Sequence, residues 1–164
     1  RRSMRMFSRV HKPLTNLFKL MAYLKVLEEP RREDLRRPLS RPRQWIKPPD
    51  MSFKINVDAV VAQNRGRGVA AAICRDHNGV FQGASAMVFK GVHNPPTLEA
   101  LAIHEALALA EDLNLRRLHV ASDCKVVVDD IKHRNPASYG AILHEIIEHS
   151  SSFEACSFVH EFRS

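Results

Sequence analysis

The clearest pattern in the chain begins near Met51, where apolar and polar residues start to alternate. The alternation predicts a strand that has Phe53, Ile55 and Val57 on one face. Its other face has Lys54, Asn56 and Asp58. Residues 69–75 and 80–89 have the composition of two further strands. The sequence Asp76-His77-Asn78-Gly79 between them is typical of a hairpin, because Asn-Gly accepts positive φ. This region therefore predicts an antiparallel three-stranded meander.

The rest of the chain alternates between helical and extended patterns. An Ala- and Leu-rich helix begins after two prolines and runs to about Leu113. We expect Thr97 to cap this helix. Short strands at 118–121 and 153–159 flank two helices at 125–133 and 139–149. The order β-β-β-α-β-α-α-β predicts an α/β fold, a five-stranded mixed sheet with helices packed on its faces.

Charge divides the chain into two parts. Residues 1–50 hold 14 Lys and Arg against 5 Asp and Glu, a net of +9, whereas residues 51–164 hold 11 against 13, a net of −2. A basic segment favours phosphate-bearing partners. Residues 28–50 are rich in Pro and Arg, which predicts an extended linker that is either a nucleic-acid tether or simply solvated. We predict a basic segment and linker over residues 1–44 and a folded domain over residues 45–164.

The first 27 residues contain no acid, and a possible helix spans residues 14–27. Its apolar residues, at helical spacing, are Leu14, Leu17, Phe18, Met21 and Leu24. This composition is typical of an organelle transit peptide, and also of the remaining end of a larger polyprotein. Lys19 and Lys25 interrupt the stretch, so we predict no membrane span. The odd number of cysteines argues against disulfides and zinc and favours a reducing compartment.

Three carboxylates are candidates for chemistry. Asp58 lies late in the first strand, Glu99 in the first turn of the first helix, and Asp123 just past the fourth strand. Singly, they could be an exposed strand residue, an acid that complements the helix dipole and a helix N-cap. A meander followed by a crossover places the first and fourth strands side by side, which would gather the three acids. Gathered carboxylates repel unless a cation neutralises them, and oxygen ligands suit Mg²⁺ or Mn²⁺.

Several short motifs, in the right order, resemble one family. They are Trp45-Ile46-Lys47-Pro48-Pro49, Lys54-Ile55-Asn56-Val57-Asp58, Ile73-Cys74-Arg75-Asp76-His77-Asn78-Gly79, Glu99-Ala100-Leu101-Ala102, Ser122-Asp123-Cys124-Lys125-Val126-Val127-Val128 and Phe158-Val159-His160 with Arg163. Together they resemble the plant ribonuclease H-like domain (type 1) of reverse transcriptase-like proteins from non-LTR retroelements. The resemblance covers about Trp45 to Ser164.

The resemblance implies a ribonuclease H-like fold and a nuclease that cuts the RNA strand of RNA–DNA hybrids. Asp58, Glu99 and Asp123 would be the catalytic residues and the ligands of two Mg²⁺ or Mn²⁺ ions. Candidates for substrate contact, on position only, are Asn56, Arg65, Arg67 and Ser122. For the two arginines, simple solvation of a loop is the competing interpretation.

One departure from the family leaves the function open. The family usually continues into a C-terminal helix with a fourth carboxylate, which this sequence lacks, and neither His160 nor Glu161 is a convincing substitute. The alternatives are a weak or inactive nucleic-acid-binding remnant of a retroelement and a gene fragment without a role. We expect a monomer inside the cell, in the nucleus first and an organelle second, with an RNA–DNA hybrid or other nucleic acid as partner.

Overall fold

The computed structural model describes residues 46–62 and 66–161 of the chain. The elements follow the predicted order. The strands are β1 (Phe53–Ala62), β2 (Arg67–Arg75), β3 (Phe81–Lys90), β4 (Arg117–Ser122) and β5 (Ala155–His160), and the helices are α1 (Pro95–Asp112), α2 (Lys125–His133) and α3 (Gly140–Ser150). The possible helix at 14–27, nearly all of the linker, and Arg65 lie outside the described residues. The division of the chain at residue 44 therefore stays a prediction.

The five strands form one mixed sheet in the order β3-β2-β1-β4-β5. The first three strands are an antiparallel meander, and β4 pairs in parallel with both β1 and β5. Because parallel strands need a crossover connection, α1 carries the chain from the edge strand β3 to the other side of β1. The sheet confirms the predicted α/β class. It also places β1 next to β4, so that the strand containing Asp58 adjoins the strand that leads to Asp123.

The turn between β2 and β3 forms at the predicted Asn-Gly pair. The Asp76 carboxylate accepts hydrogen bonds from the backbone N–H groups of Asn78, at 2.8 Å, and Val80, at 2.9 Å. Gly79 has a φ of +84°, a left-handed conformation that glycine adopts without strain. Local turn chemistry therefore sets the pairing of these two strands.

The N-terminus of α1 differs from the sequence prediction. Asn94 is the N-cap, and its side-chain oxygen accepts the backbone N–H of Thr97 at 3.0 Å. Pro95 and Pro96 occupy the first helical positions, where no N–H donor is needed. The predicted cap at Thr97 was therefore wrong, and Glu99 lies in the second turn of the helix instead of the first.

One face of the sheet, which we call the core face, is covered by α1 and α2, and α3 packs against these two helices. Its buried apolar residues form a single cluster with those of the helices, including Ile55, Val57, Ala70, Ala72, Cys74, Leu98, Ile103, Leu107, Val120, Val127, Leu143, Ile146 and Phe158. Gly68 of β2 lies on this face, and a Cβ there would overlap the Leu98 side chain. Glycine thus lets the first turns of α1 approach the sheet closely. Within the described ranges, no helix is both long and apolar enough to cross a membrane.

The opposite side of the sheet, which we call the far face, carries the polar positions of β1 and the residues in register with them. Five small apolar side chains on it are buried yet lie outside the core cluster, namely Val60, Val69, Ala71, Ala84 and Ala121. The Lys54 side chain is 1% exposed, and its ammonium group lies 2.6 Å from a Glu161 carboxylate oxygen. The same ammonium donates to the Ile46 carbonyl at 2.7 Å. The far face is therefore built around buried polar groups.

Candidate functional site

The carboxyl ends of β1 and β4 are the place where the predicted acids lie. The parallel register pairs Asn56 of β1 with Ala121 of β4. Asp58 lies two residues after Asn56, within β1, and Asp123 lies two residues after Ala121, directly after the end of β4. Neighbouring strands lie about 4.8 Å apart, so residues at the same level of two parallel strands are close together. The register therefore brings these two aspartates to one end of the sheet.

Glu99 reaches the same end of the sheet from α1. Its side chain is buried, and its Oε1 accepts a hydrogen bond from the Ser122 hydroxyl at 2.6 Å. The Ser122 oxygen in turn accepts the backbone N–H of Cys124 at 3.0 Å. Ser122 thus links the helix carrying Glu99 to the turn carrying Asp123. A hydrogen bond to a carboxylate is stronger than one between neutral groups, so this link holds Glu99 in place.

The thiol of Cys124 lies beside the acids of this region, and its pKa is raised. Burial raises its pKa, a hydrogen bond from the Val127 backbone opposes the shift, and the carboxylates of Glu99 and Asp123 raise it further. Both carboxylates therefore lie close enough to act on one thiol. Cys124 is also the N-cap residue of α2. The alternative role of Asp123 as that N-cap is therefore excluded.

The chemistry of these donors fits a divalent metal ion. Asp58, Glu99 and Asp123 offer only oxygen atoms, which suit Mg²⁺ or Mn²⁺ better than zinc or copper. Within residues 46–62 and 66–161, no group of three or more His, Cys, Asp or Glu side chains stands ready to hold an ion. The backbone thus places the three residues at one strand end, and their side chains would have to close around a metal.

The predicted substrate contacts occupy three different environments. The Asn56 side chain is half-buried on the far face, and its Oδ1 is buried without a hydrogen-bond partner among the described residues. Arg67 is exposed at the start of β2. Ser122 is buried, with its hydroxyl engaged by Glu99 and Cys124. Their assignment as substrate contacts stays a prediction.

A polar network that the sequence did not predict lies on the far face beside these acids. Lys54 and Glu161, 107 positions apart, form the buried ion pair. The His119 ring nitrogen lies 2.5 Å from the Ser157 hydroxyl. Burial lowers the pKa of His119, Lys54 lowers it further and Glu161 opposes them. Only the polar row of β1 hinted at this network, because its partners come from distant strands.

Comparison with known proteins identifies the fold. The chain is similar to ribonuclease H1 from the halophilic archaeon Halobacterium salinarum, with a TM-score of 0.63, 15% identity, and coverage of 68% of this chain and 86% of that one. It is similar to the N-terminal ribonuclease H domain of a Mycobacterium tuberculosis protein, with a TM-score of 0.62, 17% identity and coverage of 68% and 83%. It is also similar to LC11 ribonuclease H1 in complex with an RNA/DNA hybrid, with a TM-score of 0.58, 17% identity and coverage of 68% and 86%.

The family follows from a match over most of the chain. No curated protein matches the sequence. The model of one family, described as reverse transcriptase-like, matches residues 56–164, a span that includes Asp58, Glu99 and Asp123. The resemblance noted from the motifs is thereby confirmed at the level of the domain. The chain belongs to the reverse transcriptase-like family and carries a ribonuclease H-like domain.

Proposed function

We propose that this protein is a metal-dependent endonuclease that cuts the RNA strand of RNA–DNA hybrids. The observation that carries the proposal is the convergence of three acidic residues on one end of the sheet. Asp58 and Asp123 arrive there by strand register, and Glu99 is held there by Ser122. The ribonuclease H-like fold supports the proposal, as does the RNA/DNA hybrid bound to one structural neighbour.

The roles of the residues follow from their chemistry. Asp58, Glu99 and Asp123 would hold Mg²⁺ or Mn²⁺, two ions in all. Metal bound there would supply an activated water and a stabilised leaving oxygen. Ser122 positions Glu99 through its hydroxyl. Asn56, one row below Asp58 on the far face, is a candidate substrate contact by its position beside the proposed metal ligands.

The test is a cleavage assay with the full chain and a labelled RNA–DNA hybrid in Mg²⁺, in Mn²⁺ and in chelator. We expect cleavage of the RNA strand with either metal and none in chelator. Asp58→Asn should abolish cleavage, because it removes a charged metal ligand. Asp112→Asn, which neutralises an exposed acid at the end of α1, is the matched control and should cut normally. A folded wild-type protein that leaves the hybrid intact in both metals would refute the enzyme.

A second function is favoured by one specific observation. Among the described residues, no three acidic or metal-binding side chains are already gathered for an ion. A remnant that binds hybrids without useful turnover would have this arrangement. It would bind the hybrid without cutting it, with the same affinity in Mg²⁺ and in chelator. The enzyme should instead bind the hybrid more tightly when metal is present.

The motifs also support proposals about origin and setting. We propose that the domain derives from a plant non-LTR retroelement and acts as a monomer. We propose the nucleus as its place of action, with an organelle second. The basic segment over residues 1–44 is consistent with either, because Arg-rich and acid-poor segments occur in transit peptides and in nucleic-acid tethers.

A further inference from the structure

Two histidines lie beside each other where α1 packs against α3. The imidazole rings of His104, in α1, and His149, in α3, have their centroids 6.3 Å apart, and both residues are half-buried. Glu99 precedes His104 by five residues, which places the two side chains about 140° apart around the axis of α1. The histidine pair is therefore in the helix layer, on a different side of α1 from the candidate nuclease site.

Each histidine also has a carboxylate from the opposite helix beside it. His104 Nε2 lies 3.5 Å from a Glu145 oxygen, and His149 Nε2 lies 3.3 Å from a Glu111 oxygen. Both distances exceed the length of a charge-assisted hydrogen bond, about 2.7–2.9 Å. They match the roughly 3.4 Å between two ligand atoms of one tetrahedral zinc ion, whose bonds are about 2.0–2.1 Å long. We call these four residues the α1–α3 seam.

The two imidazole–carboxylate pairs are close to a common centre but not yet gathered around it. Within the described ranges, no three His, Cys, Asp or Glu side chains are already placed to hold an ion. Two imidazoles bound to one zinc through Nε2 would have their centroids about 5 Å apart, so the rings need to approach by only about 1 Å. The side chains of Glu111 and Glu145 are 72% and 66% exposed, so they are able to rotate without disturbing the core.

The donor atoms of the seam suit zinc better than the metals of the proposed nuclease. Imidazole nitrogen favours ions such as Zn²⁺, whereas Mg²⁺ prefers oxygen ligands. A structural zinc ion takes four ligands, which is the number that the seam offers. Asp58, Glu99 and Asp123 offer oxygen alone, so the two places should select different metals.

We propose that the α1–α3 seam binds one Zn²⁺ ion through His104, Glu111, Glu145 and His149. In the fold, α3 packs against the other helices and α1 packs on the sheet. An ion at the seam would therefore tie this outer helix to the helix that carries Glu99. An ion that binds only the folded chain stabilises it by mass action, so Zn²⁺ should raise the melting temperature of the protein.

The first test is the affinity of the full chain for zinc, measured by calorimetric titration with ZnCl₂ in excess Mg²⁺. His104→Gln and His149→Gln each remove one nitrogen ligand. Each should weaken binding by more than about 100-fold, since losing a group that merely orients a ligand already costs up to that much. The matched control is His144→Gln, which removes an exposed histidine of α3 that pairs with Glu148 of the same helix at 3.5 Å.

We expect the control to bind zinc like the wild-type protein, and Asp58→Asn to do the same. No binding by the wild-type protein would overturn the proposal, as would equal affinities in the wild-type protein and either seam variant. An equal loss in His144→Gln would also contradict it. These affinities do not depend on cleavage of a hybrid, so the proposed nuclease can fail without affecting this result.

A second measurement uses the unaltered protein and so does not depend on how the variants fold. Diethylpyrocarbonate acylates free imidazole nitrogens, and mass spectrometry locates each modified histidine. At a zinc concentration about ten times the dissociation constant, modification of His104 and His149 should slow about tenfold, because the ion then occupies the site most of the time. His133 and His144, which are exposed outside the seam, should react at an unchanged rate. Equal protection of all four histidines, or no protection of the seam pair, would refute the zinc site.

Discussion

The two faces of the sheet are formed by the same five strands but bury different kinds of side chain. The core face is covered by α1 and α2, with α3 packed against them, and its buried residues join those of the helices in one apolar cluster. The far face buries the Lys54–Glu161 ion pair, the Asn56 oxygen and five small apolar side chains outside that cluster. Burial of apolar area is the dominant favourable term in folding, whereas a buried ion pair contributes little net stability.

This difference indicates where stability and chemistry reside. Asp58 and Asn56 lie on the far face, and Glu99 comes from the helix layer of the core face. The candidate site is therefore at the strand end where the two faces meet. The core face fixes the position of α1, and the far face accommodates the polar groups that the proposed nuclease would need.

The largest expected effect comes from a cavity in the core face. Leu107 is fully buried in α1, and Leu107→Ala should lower the free energy of unfolding by about 2–5 kcal/mol. The control Val126→Ala, at a 58% exposed position of α2, should change it by less than about 0.5 kcal/mol. Urea denaturation measures both. Equal losses in the two variants would contradict the assignment of the core.

Removing either partner of the Lys54–Glu161 ion pair should lower the free energy of unfolding, but by different amounts. Glu161→Gln leaves the ammonium of Lys54, 1% exposed, without its carboxylate and should destabilise the protein by about 2–3 kcal/mol. Lys54→Met should cost less, about 1 kcal/mol, because it removes the buried charge and leaves Glu161, 20% exposed, within reach of water. Thermal denaturation tests the order, and a larger loss for Lys54→Met would show that the pair is not the buried centre of this face.

The link between the two faces at the candidate site can be tested through Ser122. Ser122→Ala removes the hydroxyl that holds Glu99 and should reduce hybrid cleavage by about 10–100-fold, in the range seen for groups that orient metal ligands. Ser122→Thr keeps the hydroxyl and should recover part of the rate. If Ser122→Ala loses only hybrid affinity, at unchanged kcat, then Ser122 would be a substrate contact.

The smallest expected effect is a change of the free energy of unfolding with pH, caused by protonation of His119. Burial lowers the pKa of folded His119 below the ordinary histidine value of about 6.5, so below about pH 6.5 the unfolded chain takes up a proton that the folded chain resists. The free energy of unfolding should therefore fall as the pH drops through this range. His119→Asn should show a shallower fall between pH 7.5 and 5.5, with His133→Asn on the exposed end of α2 as the control. Identical slopes in all three proteins would rule out this contribution.

The sequence contained enough information for the fold and for the general location of the site. Alternation in β1 and the Asn78-Gly79 turn are local signals, so the strands and the meander could be predicted. The order of elements then required β4 to lie beside β1, which located Asp58 and Asp123 together. The cap at Asn94 was missed, although proline at the first helical position marks the preceding residue as the cap.

Contacts between distant residues could not be predicted in this way. The hydrogen bond from Ser122 to Glu99 joins two different elements, and the Lys54–Glu161 pair joins positions near opposite ends of the domain. Periodicity assigns a side chain to a face but does not identify its partner. The polar row of β1 therefore predicted which face the residues share, and only the fold showed that the face is buried.

The most direct test of the central claim is to count the metal ions that the protein binds. Titration of the full chain with Mn²⁺, followed by electron paramagnetic resonance, reports the free and bound ion without any substrate. We predict that the wild-type protein and Asp112→Asn bind two Mn²⁺ ions that Mg²⁺ displaces, and that Asp58→Asn loses this binding. Mn²⁺ binding that is absent from the wild-type protein, or unchanged by Asp58→Asn, would contradict the account.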